Sequence, residues 1–67
     1  MSLSITEEFL SFKPGTRARA LFYLKTGVLE GNANVEMQAR LDRWVQRIER
    51  HGPTARERVL RKLGEGS

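Results

Sequence analysis

The sequence predicts an all-α fold: three or four short helices in a compact bundle. Three observations carry this. Apolar residues recur at helical spacing in the third quarter of the chain, Ser/Thr-x-x-Glu signatures precede two apolar runs, and Pro or Gly punctuates the chain near residues 14, 27, 31 and 52. The 67 residues suffice for one domain, spanning 1–67. Met1–Leu3 and Glu65–Ser67 read as cloning remnants or disordered ends.

The first helix is predicted from Ile5 to Phe12. Ser4-Ile5-Thr6-Glu7 has the form of a capping box, in which hydroxyl and carboxylate satisfy each other's backbone amides. Ile5, Phe9 and Phe12 then share a face, and Lys13-Pro14-Gly15 stops the run, because the residue before a proline avoids the helical region. Lys13-Pro14-Gly15-Thr16 lacks the spacing of a phosphate loop and reads as a turn and a cap.

Thr16 is expected to cap a second helix that runs to Lys25, with Gly27 beyond its end in the left-handed conformation. The consecutive Leu21, Phe22, Tyr23 and Leu24 point around most of the circumference at roughly 100° per residue. They imply a helix buried on more than one side, or one that meets another chain. The competing reading is α+β, with a hairpin at residues 20–30 turning at Thr26-Gly27, since Phe, Tyr and Val favour strands.

Residues 28–34 read as a connection, with Asn34 or Asn32 as the next N-cap. The third helix, from about Val35 to Arg50, is the clearest element: Met37, Leu41, Trp44, Val45 and Ile48 form one stripe. Gly52-Pro53 ends it. Thr54-Ala55-Arg56-Glu57 resembles a second capping box, opening a last helix with an apolar edge of Val59, Leu60 and Leu63.

The net charge is +4, and its distribution is uneven. Residues 1–39 balance; residues 40–67 hold seven arginines and Lys62 against Asp42, Glu49, Glu57 and Glu65. Arg40, Arg43, Arg47 and Arg50 fall within an arc of roughly 80° on the third helix, one guanidinium per turn beside Trp44. Such a ridge suits the phosphates of a nucleic acid or an acidic partner helix, although a surface helix also needs a solvated charged face. Glu36 is placed to pair with Arg40. Arg56, Arg58, Arg61 and Lys62 would join this patch if the last two helices fold as a hairpin. Trp44, inside the apolar stripe, is expected in the core. Phe22 and Tyr23 cannot both face one core, so one of them is a candidate contact residue.

No catalytic, cofactor or metal site is expected, and the protein reads as a non-enzyme. It has no cysteine for a disulfide or metal cluster, and the single His51 is explained as a helix C-terminal group. No apolar run reaches the roughly 18–20 residues that span a bilayer, so a membrane partner is not expected and the cytoplasm is the expected compartment. A domain this small without staples packs well or oligomerises. The expected function is therefore a protein-interaction or self-assembling module with homo-oligomeric or protein partners, using Phe22, Tyr23 and the arginine ridge. The alternative is a nucleic-acid binder that uses the ridge. A helix-turn-helix fits poorly, because the connection from Gly27 to Asn34 is too long.

Overall fold

The computed structural model describes residues 3–31 and 34–65; Met1, Ser2, Asn32, Ala33, Gly66 and Ser67 lie outside the described residues. Four helices follow in order: α1 (Ile5–Ser11), α2 (Pro14–Thr26), α3 (Val35–Arg50) and α4 (Ala55–Glu65). Every pair of helices is in contact, with α2 against α4 the most extensive packing. Among the described residues there is no strand, so the hairpin at residues 20–30 does not form: residues 20–26 are helical.

The local signals explain the boundaries of α1. Ser4 Oγ accepts from Glu7 N–H at 3.2 Å, and Glu7 Oε1 accepts from Ser4 N–H at 3.0 Å. These reciprocal bonds satisfy two amides that a helix start leaves open. They also hold the Glu7 carboxyl below its ordinary value, the Ser4 backbone N–H being the larger cause.

The start of α2 departs from expectation. Pro14 occupies the first turn and Lys13 is the N-cap, without a side-chain capping bond. Thr16 is thus not a cap but lies inside the helix, buried. The proline that terminates α1 also begins α2, because the first helical position needs no N–H and favours the fixed φ of proline. At the other end, Gly27 has φ 80° and donates to Tyr23 O at 2.7 Å, a left-handed cap.

Burial of α2 is one-sided, contrary to the reading of its bulky quartet. Thr16, Ala20, Tyr23 and Leu24 form a single buried stripe at spacings of four, three and one, whereas Phe22 points outward. Two of the four stripe residues are small, so hydrophobicity alone hides the stripe, while their size lets neighbouring helices approach.

In α3, Asn34 Oδ1 accepts from Met37 N–H at 3.2 Å, and Leu41, Trp44, Val45 and Ile48 are buried. The helix stops at His51, followed by Gly52 with φ 105°, which a non-glycine residue adopts only at a cost. After this turn α4 begins, with Arg58 N–H donating to Thr54 O at 3.1 Å. Leu3 O accepts from Arg47, and Glu65 closes α4.

The core gathers around Trp44, which has no exposed surface. Its ring lies 5.9 Å from Phe9, 5.7 Å from Phe12 and 6.4 Å from Tyr23, the last two edge-to-face. Edge-to-face pairing suits the aromatic quadrupole. The indole Nε1 donates to Ile5 O at 2.8 Å, so the one polar atom of the ring is satisfied.

Tyr23 completes a second junction. Its hydroxyl donates to Glu49 Oε1 at 3.4 Å, and the Arg56 guanidinium sits 6.0 Å from its ring centroid. That guanidinium also packs against Gly27, where a Cβ would occupy the same space as Nη1. Burial, and then the Glu49 charge, push the Tyr23 phenol above its ordinary value of 10.0.

Two consequences are measurable. Trp44→Phe keeps a ring but deletes the N–H and part of the volume, and should lower unfolding free energy by about 2 kcal/mol, against about 3–5 kcal/mol for Trp44→Ala. Denaturant melts followed by circular dichroism report both, and a Trp44→Phe loss near zero would contradict a role for the hydrogen bond. The folded chain holds the Tyr23 proton more tightly than the unfolded chain does. This contribution is therefore whole below pH 10.0 and declines above it, and the wild type should lose stability more steeply than Tyr23→Phe above that pH.

Candidate functional site

The third helix places its charged residues on two different sides. Glu49 turns toward Tyr23, and Asp42 accepts from Gln38 Nε2 at 2.8 Å, away from the arginines. Arg40, Arg43, Arg47 and Arg50 together line one shallow groove, joined by a single acid, Glu8 of α1. The four arginines are therefore brought together as their spacing predicts. They are not equivalent.

Arg47 is tied at both ends of its fork. Nη1 meets Glu8 Oε1 at 3.2 Å, which is also the one ion pair among the described residues, and Nη2 donates to Leu3 O at 2.8 Å. Arg40 donates to Ser11 Oγ at 3.2 Å and lies 5.5 Å from the Phe12 ring centroid. It turns to α1 rather than to Glu36, so the i,i+4 pair does not form. Both arginines thus help to hold α1 against α3. By contrast, Arg43 and Arg50 are exposed and have no hydrogen bond or ion pair among the described residues.

The hairpin of α3 and α4 brings part of the second basic set beside the first. Arg47 borders both the arginine groove and a cleft whose other cations are Arg58 and Lys62, with His51 also in its lining. Arg58 Nη2 donates to His51 O at 3.3 Å, which ties the start of α4 to the end of α3. Arg56 does not join this surface; it is taken up by Tyr23 and Gly27, and its Nε is buried without a hydrogen-bond partner.

Phe22 and Tyr23 separate cleanly. Tyr23 is 5% exposed and belongs to the core, so it is not available to a partner; Phe22 is 39% exposed. Leu10 and Val28 are also exposed. Sequence reasoning missed the Ser11 hydroxyl and Glu8 carboxylate of α1, and the Leu3 carbonyl before it, that anchor Arg40 and Arg47. Helical spacing within α1 puts Glu8 and Ser11 three apart, but nothing in that pattern names α3 as the face they meet.

Among the described residues no three His, Cys, Asp or Glu side chains are grouped to hold a metal ion, and no helix is long and apolar enough to cross a membrane. No family model matches the chain, and comparisons with curated proteins and with solved structures return no match.

The unequal arginines should separate in stability. Arg43→Ala and Arg50→Ala should fall within about 0.5 kcal/mol of wild type, as exposed residues without partners do. Arg47→Ala should cost more, because it also frees the Leu3 carbonyl. A double-mutant cycle with Glu8→Ala should return a coupling of about 0.5 kcal/mol, small because the side chains are 36% and 23% exposed. Zero coupling would mean that the pair does not persist in solution.

Proposed function

We propose that the protein is a non-enzymatic cytoplasmic binding module that holds a nucleic acid by its phosphate backbone. The observation that carries this reading is that Arg47 lines both the arginine groove and the cleft with Arg58 and Lys62, with Glu8 as the single carboxylate among the residues lining the two. Guanidinium groups suit phosphate because their planar fork donates two parallel bonds. Arg43 and Arg50 stand ready for such contacts, since forming them breaks nothing inside the protein. Arg40 and Arg47, fixed against α1, set the position of the row.

A second reading, association with a protein partner or a second copy, is favoured by the exposed Phe22, Leu10 and Val28. It does not include Tyr23, and its support is a set of exposed apolar side chains, Leu3 and Val35 also among them, against the cations that line the groove and the cleft. A concentration series of solution mass, with and without Phe22→Ala, tests it directly.

The nucleic-acid reading is tested by titrating a labelled oligonucleotide at several salt concentrations. Affinity should fall steeply between about 50 and 200 mM salt, because each neutralised phosphate releases counterions. Arg43→Ala and Arg50→Ala should each reduce the slope of log K against log salt by about 1. Absent or salt-insensitive binding at low ionic strength would reject the reading.

A further inference from the structure

The cleft beside the arginine groove differs from it in kind. It opens where the start of α1, the end of α3 and one face of α4 meet, and its volume is about 370 Å³. Ile5, Ala55 and Val59 give it an apolar floor, while Ser4 and Thr6 bring hydroxyls to one edge. The charged groups on its rim are Arg47, Arg58 and Lys62, with no carboxylate among the lining residues. A surface that only tracked phosphates would need no such floor.

Resting on the nucleic-acid reading above, we propose that this cleft receives an unstacked base, so that the module prefers a single strand to a duplex. Phosphates that follow Arg43 and Arg50 lead along the groove to Arg47, which is also the edge of the cleft. A base on the same strand then reaches the apolar floor, and the flanking phosphates meet Arg58 and Lys62. In a duplex the bases are stacked inside and cannot enter. The volume agrees with a small planar group: it lies at the low end of the about 300–1,000 Å³ that ligand pockets span. The Ser4 hydroxyl caps α1 and lies 3.3 Å from that of Thr6, so the Thr6 hydroxyl, which can donate or accept, is the group with capacity left for a base edge.

The experiment compares four probes of equal charge on the unaltered protein at low salt: a thymine single strand, the same strand with abasic sites, a duplex, and polyglutamate. The thymine strand should bind roughly five- to tenfold more tightly than the abasic strand, the low end of what stacking on an aromatic ring gives, because this floor is aliphatic. The duplex and polyglutamate should bind no better than the abasic strand. Val59→Gln, which replaces part of the floor by an amide, should weaken the thymine strand toward the abasic strand and leave the abasic affinity unchanged. If that variant does not fold, the abasic comparison still decides. Equal affinity for abasic and intact strands, or a preference for duplex, would overturn the cleft while leaving the phosphate reading standing. Polyglutamate bound as tightly as the thymine strand would overturn it in favour of an acidic protein partner. No binding to any nucleic acid would remove both.

Discussion

The fold depends on where the Trp44 indole ends. A buried N–H without a partner is costly, and this one finds the carbonyl of Ile5 at 2.8 Å, on a different helix and far away in sequence. Phe9 and Phe12 close on the ring from the α1 side and Tyr23 from the α2 side, so a single side chain of α3 contacts the elements that precede it. A chain of 67 residues buries a smaller fraction of its surface than a larger domain does and has no cysteine to cross-link it. Packing three of its five aromatic residues against the indole of a fourth compensates for that shortage.

The same helix works from two adjacent faces. Its apolar stripe grips α1 from within through Trp44, and the neighbouring arginines grip it from outside through Ser11, Glu8 and Leu3. α1 has only seven residues, too few to be stable alone in water, so these contacts and its capping box define it. A row of cations that reads as a recognition surface is therefore partly scaffold. What remains open to a ligand is the alternate pair at positions 43 and 50, together with the cations that the turn at Gly52 brings alongside.

Much of this was legible in the residues, and the exceptions share a cause. The third helix and its stripe follow from spacing alone, and so does the grouping of the arginines; its cap was open between Asn34 and Asn32, and Asn34 fills it. The left-handed cap at Gly27 was also expected. What spacing does not show is that the missing Cβ there makes room for the Arg56 guanidinium, a contact between α2 and α4. The start of α2 was misplaced because Pro14 has two meanings, stop and start, and the first masked the second. The buried face of α2 was obscured because Thr16 and Ala20 are weakly apolar or polar, yet they fill it. Between Phe22 and Tyr23 no rule of adjacent residues can choose; the choice falls to Tyr23 because its hydroxyl reaches Glu49 while its ring reaches Trp44. The joining of the basic sets needed the direction of the chain after Gly52, which composition does not encode.

The double engagement of Arg47 divides the surface into fixed and adjustable parts. Exchanging the residue at 40 or 47 alters how the first helix is seated, so any retuning of recognition there carries a structural penalty. Positions 43 and 50 carry no such obligation. An engineer wishing to change what this face attracts has two independent knobs on an otherwise rigid rail.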